Sequence, residues 1–430
     1  MGESAHRPWA ATEAAVTGAP LPRVLLVSRH YASDFSTKVG GVFQRLRMLL
    51  DAAARSADVL DILFFVDQYM IDQVGPEVAQ ASLRDHWGIT ATVSLAPRAT
   101  KRHGAMMQTL RGVLDFRAQE DFFRLNGDAQ RAAVRAHLAA DTALVIAHRL
   151  ALGATATGPG AAAVPVVMDL DDIEHRNLAR QLRRPPFAFD KRLRWLDVPA
   201  LRHGELATIR ATRTSLVCSQ GDHDYLATLG VANTTVIPNV MSFPERPPHA
   251  TGNGPVLFFI GAYGYPPNRD AAEFLIHEIF PRVLRRIPAA RLLLAGEAIE
   301  KLPSHAHAPL QVEFAGFVPD LAEVYRRATV VCCPILAGGG TRIKIIEAAA
   351  AGKAVVSTTM GAEGLDFDDE TEILRRDTPD AFAEACVALL TDPARTRAIG
   401  EAAFAKARRL YDRGQTVDRL VEVFVAAAAR

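Results

Sequence analysis

One stretch, residues 329–365, limits what this chain can fold into more than any other. It opens with Thr329-Val330-Val331-Cys332-Cys333, an apolar run long enough for a buried strand and too short for a helix. Gly338-Gly339-Gly340 follows, where the backbone can take unusual angles and come close to a bound group. From Thr341 the spacing predicts a helix, with Ile343, Ile346 and Ala350 on one stripe, ending before Gly352. Lys353-Ala354-Val355-Val356-Ser357 reads as the next buried strand. Strand, glycine turn, helix and strand make a βαβ unit, so the class is α/β with parallel sheets. The turn then falls at the carboxyl end of its first strand, where open parallel sheets bind ligands. The free N–H groups of the helix start, with Arg342 and Lys344 beside them, suit a phosphate. Glu347, three residues beyond Lys344, could accept two hydrogen bonds from a ribose diol. The plain alternative is a surface i, i+3 pair beside an ordinary loop. Against it, Glu347-Ala348-Ala349-Ala350-Ala351 is nearly all alanine, so the helix is packed on both sides and its lone carboxylate needs a reason. The stretch reads as a nucleotide site.

At 430 residues the chain is too long for one ordinary core, and two domains are expected. Hydrophobic residues at 49% and charged residues at 23% fit a soluble globular protein, and a net charge of +1 gives no global field that would favour nucleic acid. Residues 1–22 lack an apolar core of signal-peptide length and read as a disordered leader. No apolar run reaches the length of a membrane span. The four cysteines, Cys218, Cys332, Cys333 and Cys386, have neither disulfide-framework nor zinc spacing. The expectation is a cytoplasmic protein, with a peripheral place at a membrane left open.

Arg23 to Ser28 is the first strand, and Gly40-Gly41 directly precedes a helix, with Lys38 beside it. The loop between them lacks G-x-G-x-x-G, which argues against a dinucleotide-binding domain. Further strands are expected at 59–65, 91–95, 143–147 and 164–168. His148 follows the third of these and is open to a structural or a functional reading. Asp169-Leu170-Asp171-Asp172 follows the fourth, where the carboxylates could hold a metal, cap a helix or bind acceptor hydroxyls. Residues 176–213 carry ten Arg and Lys against three acids, with Leu193, Trp195 and Leu196 among the interleaved apolar residues. That pattern fits a solvated helical pair or a surface that meets anionic lipid. Arg98, Lys101, Arg102, His103 and Arg111 form a second basic cluster. The Pro- and Gly-rich residues 241–254 read as a linker.

The string GGGTRIKIIEA, residues 338–348, resembles the donor segment of GT-B glycosyltransferases, in particular the large retaining family 4 and its relatives with a GGGTRxK-x-x-E-A pattern. The run to Val236-Ile237-Pro238-Asn239-Val240 is similar to it as well, with valine at 240 where glycine is usual, and so are the Pro267-Asn268 turn and Gly316-Phe317-Val318-Pro319-Asp320. The resemblance implies two Rossmann-like doubly wound domains facing a cleft: 23–240 on the acceptor side, 255–410 for the donor, and 411–430 as a helix crossing back to the first. It implies that Gly339, Gly340, Thr341, Arg342 and Lys344 hold the diphosphate, with Gly40 and Gly41 approaching from the N-terminal domain. Glu347 would take the ribose and His148 would lie near the donor sugar, so that His148, Arg342 and Lys344 serve the chemistry. The family's sugar-facing glutamate, eight positions before the ribose one, is Gly339 here. The turn at 261–269 holds Tyr263 and Tyr265 where family members have basic residues, with Arg269 the nearest cation. The activity implied is transfer from a nucleoside-diphosphate sugar, UDP-sugar favoured and GDP- or dTDP-sugar open, to a saccharide or lipid-linked acceptor in surface polysaccharide or glycolipid assembly. No tightly bound cofactor and no protein-bound metal are expected. A non-catalytic GT-B scaffold and a GT-B sugar-nucleotide epimerase are the alternatives.

Overall fold

The computed structural model describes residues 19–36, 40–100, 105–120, 122–183, 193–248 and 254–429, with backbone alone for 105–109. Lys38, Lys101, Arg102, His103, Arg184, Lys191, Arg192 and parts of the leader and linker therefore lie outside the described residues. Two compact units divide the chain: one runs to Pro238 and resumes at Gly414, the other spans Asn239–Arg413.

In the first unit, apolar runs become seven strands: β1 (Leu21–Ser28), β2 (Ala57–Val66), β3 (Thr92–Pro97), β4 (Thr142–His148), β5 (Val166–Asp171), β6 (Thr214–Val217) and β7 (Thr234–Val236). They pair in parallel in the order β3-β2-β1-β4-β5-β6-β7. Strands covered on both faces need continuous rather than alternating hydrophobicity, and Val24 to Val27 are all fully buried. Helix α1 (Gly41–Ser56) follows β1, α2 (Ala105–Leu114) follows β3, α3 (Glu174–Leu182) and α4 (Asp197–Ala211) follow β5, and α5 (Gln220–Thr228) follows β6.

The second unit repeats the plan with β8 (Val256–Ile260), β9 (Arg291–Ala295), β10 (Val312–Gly316), β11 (Val330–Cys333), β12 (Ala354–Ser357) and β13 (Leu374–Arg375). All pairs are parallel, in the order β10-β9-β8-β11-β12-β13. Helix α6 (Pro266–Phe274) follows β8, α7 (Leu321–Arg327) precedes β11, and α8 (Ile343–Ala350) joins β11 to β12. The chain leaves this unit through α9 (Pro393–Tyr411) and α10 (Arg413–Ala428). From Gly414 onward α10 belongs to the first unit, where Asp418 Oδ1 accepts from Arg55 Nη1 at 2.9 Å. Both sheets thus show the doubly wound order in which the winding reverses beside the first strand: between β1 and β4 in one unit, between β8 and β11 in the other.

Three departures from the sequence reading are instructive. Helix α8 starts at Ile343 rather than Thr341, because Arg342 is its N-cap with extended angles (φ −87°, ψ 93°). The last strand is two residues, Leu374–Arg375, and the rest of the TEILRRD string is turn or irregular. Strand β5 runs on to Asp171, so Asp169 and Asp171 lie within the strand. Asp169 pairs with Leu216 in register, and the register then shifts at Asp171, which has φ +59°.

The tips of β8, β9 and β10 are closed by Gly261, Gly296 and Gly316. Gly296 N donates to Gly316 O at 2.7 Å and Gly261 N to Ala295 O at 3.1 Å. Gly296 has φ +130°, and a Cβ there would stand 1.9 Å from the carbonyl oxygen of Gly261. Gly296→Ala is expected to destabilise the second unit by at least about 2 kcal/mol, from backbone strain and overpacking together. Thermal or urea unfolding checks this, and a loss within about 0.5 kcal/mol would mean the tips shift freely.

Candidate nucleotide site

The glycine loop leaves β11 at the reversal point of the second sheet. Gly338 has φ +117° and Gly340 φ +65°, a backbone that other residues rarely adopt. A Cβ on Gly338 would lie 3.2 Å from Tyr265 Oη and 3.5 Å from Arg342 Nη2, so the loop is packed as well as bent. Arg342 is buried, and its Nη1 donates to the carbonyls of Gly339 and Gly340. That part of the guanidinium shapes the loop. Its Nη2, buried and without a hydrogen-bond partner, is what remains for an anion. Thr341 is also buried, and its Oγ1 accepts from Asn239 Nδ2 at 2.9 Å.

Lys344 sits in the first turn of α8 and reaches across to α6, where its Nζ donates to Asn268 Oδ1 at 2.8 Å. The same amine lies 4.3 Å from the centre of the Phe259 ring, a cation–π distance. Burial, with the charge of Arg342 nearby, pushes its pKa down to about 8. One turn along, Glu347 is 9% exposed and accepts from Tyr325 Oη at 3.2 Å. A carboxylate this buried is not a surface i, i+3 partner, which removes the plain alternative. Tyr325 stands on α7, and burial with the adjacent Glu347 charge raises its pKa well above the usual phenol value. Ile345, Ile346, Ala348 and Ala349 pack around it, as the alanine-rich helix implies. Gly339, Gly340, Thr341, Arg342, Lys344 and Glu347 therefore come together at the tips of β8 and β11.

Three supporting residues escaped the sequence reading. Asn268 and Asn239 were legible only as parts of the Pro-Asn turn and the Ile-Pro-Asn run, and Asn239 and Tyr325 reach the site from 102 and 22 residues away. No local spacing could have announced those two. Tyr263 is fully buried with its hydroxyl on Ala295 O at 3.1 Å, so it is a core residue, whereas Tyr265 is 41% exposed.

In the first unit, Gly40 caps α1, its carbonyl accepts from Phe43 N and Gln44 N, and a Cβ on it would meet nothing within 4 Å. Gly41 is the first residue of that helix. His148 is the last residue of β4 and is completely buried. Its Nδ1 shares a 2.9 Å hydrogen bond with Ser28 Oγ, which in turn accepts from His30 N at 3.0 Å. Its Nε2 points towards Asp169 Oδ2 at 3.8 Å, and burial holds its pKa well below the usual value. His148 Nε2 has no hydrogen-bond partner, so the structure leaves both readings of this residue standing. The neighbouring His30 ring, 5.0 Å away, is less buried and its Nδ1 has no hydrogen-bond partner. Burial and the charges of Arg29, Arg149 and Arg98 push its pKa down to about 3, so it is a neutral ring at ordinary pH.

Two of the carboxylates in residues 169–172 are paired with arginines. Asp169 accepts from the fully buried Arg45 at 2.6 and 3.0 Å, and Asp171 pairs with Arg149. The start of α3 is capped from elsewhere: Glu205 accepts from Glu174 N and His175 N, at 2.8 and 3.1 Å. Among the described residues no three His, Cys, Asp or Glu side chains gather as metal ligands. All four cysteines are free and buried. No described helix is long and apolar enough to cross a membrane.

Comparisons with known proteins bear on the second unit and on the fold. The model of the family described as glycosyl transferases group 1 matches residues 254–392. The phosphatidyl-myo-inositol mannosyltransferase of Mycobacterium tuberculosis is 30% identical over 186 residues, 41% of this chain and 48% of that protein. The chain thus spans about half the length of the curated relatives it matches. Among solved structures, sucrose-phosphate synthase from Thermosynechococcus elongatus superposes with a TM-score of 0.67 at 17% identity, over 94% of this chain and 98% of that one. Anabaena HepE in complex with UDP-glucose gives 0.65 at 15% identity, over 94% and 99%. Over residues 254–392 the chain is therefore similar to the glycosyl transferases of group 1, and the fold that carries those residues is GT-B.

Proposed function

We propose that this protein is a glycosyltransferase that moves a sugar from a nucleoside-diphosphate sugar to a saccharide or lipid-linked acceptor. One observation carries the reading: a glycine loop, a lysine with its pKa near 8 and a buried glutamate are set one helical turn apart, at the reversal point of a parallel sheet. The loop N–H groups, Lys344 Nζ and the unpartnered Arg342 Nη2 would hold the diphosphate, and Glu347 the ribose diol. As the bond from the anomeric carbon to the diphosphate oxygen breaks, negative charge grows on the leaving group, where these fixed donors stabilise it. The acceptor oxygen bonds to the same face of that carbon and its proton passes to the departing phosphate, giving retention of configuration. A family 4-like hexosyltransferase is the finer assignment. Likeness to HepE bound to UDP-glucose supports a UDP-sugar, and likeness to phosphatidyl-myo-inositol mannosyltransferase supports a lipid-linked acceptor in glycolipid or surface polysaccharide assembly.

A thermal-shift panel of UDP, GDP, dTDP and ADP on wild type and Glu347→Ala tests the donor site. One nucleotide at 100 times its Kd stabilises wild type by about 2.7 kcal/mol. The variant melts lower on its own, because Tyr325 Oη loses its nearer acceptor and keeps only the Lys344 carbonyl at 3.5 Å, so the ligand-induced increment is the quantity compared. An increment retained in full by the variant would move the ribose away from Glu347. A second reading, a nucleotide-sugar binder without turnover, is favoured by Gly339 where a sugar-facing carboxylate would stand. Binding without hydrolysis or transfer, across lipid and saccharide acceptors, would select it.

A further inference from the structure

We propose that the first unit carries a membrane-docking face, built from the end of α2 and the start of α4, that settles on an anionic lipid surface. Ten large apolar side chains are exposed among the described residues, and five of them fall on this one corner: Leu110 (56%), Leu114 (87%), Leu193 (43%), Trp195 (37%) and Leu196 (52%). The two segments are held together. Helix α2 packs on α4, and Gln119 Nε2 donates at 2.9 Å both to Gly112 O in α2 and to Asp197 O at the first residue of α4. A Cβ on Gly112 would be 3.6 Å from Asp197 Oδ1, so this face of α2 looks inward. Leu110 and Leu114 stand two residues to either side of Gly112, each about 200° round the helix, and so share the outward face. Leu193, Trp195 and Leu196 immediately precede Asp197, which brings them to the same place.

Charge names the occupant. Arg111, Arg183, Arg194 and Arg202 are exposed in and beside these segments, and the Arg183 guanidinium lies over the Trp195 ring at 6.0 Å. The nearby Asp115 is paired with Arg117 at 3.3 Å. Leucines and a tryptophan ringed by arginines match the boundary between acyl chains and acidic headgroups; a protein partner would have to supply an apolar patch ringed by acids. Beside Leu114 opens a groove of about 620 Å³ where Ala154, Ala200, Gly204 and Ala207 are small enough to leave room for an acyl chain, with Arg117 and His203 also in its lining. The face stands on these exposures and charges, independently of what the second unit transfers.

Co-sedimentation with vesicles tests it, using phosphatidylcholine alone and phosphatidylcholine mixed with phosphatidylglycerol. The full-length protein is expected to bind the mixed vesicles at least about tenfold more tightly. Leu114→Asp with Trp195→Asp should abolish binding to both, and Arg194→Glu with Arg202→Glu should erase the preference for the anionic lipid. Far-UV circular dichroism and the UDP-induced thermal shift, read on the same variants, separate loss of docking from loss of fold or of donor binding. Three outcomes would overturn the proposal: no binding to mixed vesicles, binding equal on both, or binding that survives the apolar substitutions. A lipid-free dimer broken by those substitutions would reassign the face to a second copy of the chain.

Discussion

Lys344→Ala is expected to lower kcat/KM for sugar transfer by about 10²- to 10³-fold, the scale set by removing one fixed donor from a developing anion. The fold should survive, because the change deletes a cation whose burial is a cost and leaves Asn268 half-exposed to find water. A pH signature separates this role from simple packing. With its pKa near 8, Lys344 is charged below that pH and neutral above it, so wild-type affinity for the diphosphate should weaken as pH rises through about 8. Lys344→Ala should bind weakly at every pH and lose that slope. The stability effect runs the other way. The folded pKa is depressed from 10.5, so between about 8 and 10.5 the unfolded chain holds more protons and stability rises with pH. Buried Lys353, also near 8, adds to the rise. Titration of UDP binding from pH 6 to 9 checks the first part (about two units below and one above the pKa), and a Kd constant across it would remove Lys344 from the phosphate.

Arg45→Met is expected to cost the first unit about 3–5 kcal/mol, because it strands Asp169 without its partner in a site closed to water. Both side chains are 0% exposed, and Arg45 Nη1 also donates to Ile237 O at 2.7 Å. Burial pushes the Asp169 carboxyl up while Arg45 pulls it down, and without the arginine the acid would take a proton to stay inside. Arg45→Met combined with Asp169→Leu should recover most of the loss, since an apolar pair of similar volume avoids the desolvation altogether. Urea unfolding of the three variants gives the coupling. A single Arg45→Met loss below about 1 kcal/mol would mean that water reaches Asp169.

The parallel sheets were legible because buried strands must be continuously apolar: Arg23–Ser28, Lys353–Ser357 and the runs between them all became strands, with ends moved by a few residues. The glycine loop and its neighbours were legible because their chemistry is local. Glycines, a helix start, a lysine and a glutamate lie within nine residues, and helical geometry places them together. His148 shows where such reading stops. A polar residue at a strand tip looks available in a sequence, but whether it faces a ligand depends on Ser28, His30 and Asp169, which arrive from other strands. The same holds for Asp169 and Asp171, open to metal or to hydroxyls in the sequence and committed to Arg45 and Arg149 in the structure.

The basic stretch over 176–213 makes the point on the surface. Composition marked it as a candidate for lipid, but only packing separates the arginines beside exposed Trp195 and Leu196 from Arg176, which pairs with Asp222 and stacks on Tyr225. By itself the sequence determined the fold class, and it set the glycine loop, Lys344 and Glu347 one helical turn apart, because both rest on hydrophobic period and on local spacing. Tertiary structure alone decided which polar side chains are committed to one another, because hydrogen bonds and ion pairs between residues 22 to 124 positions apart leave no spacing in the chain to read.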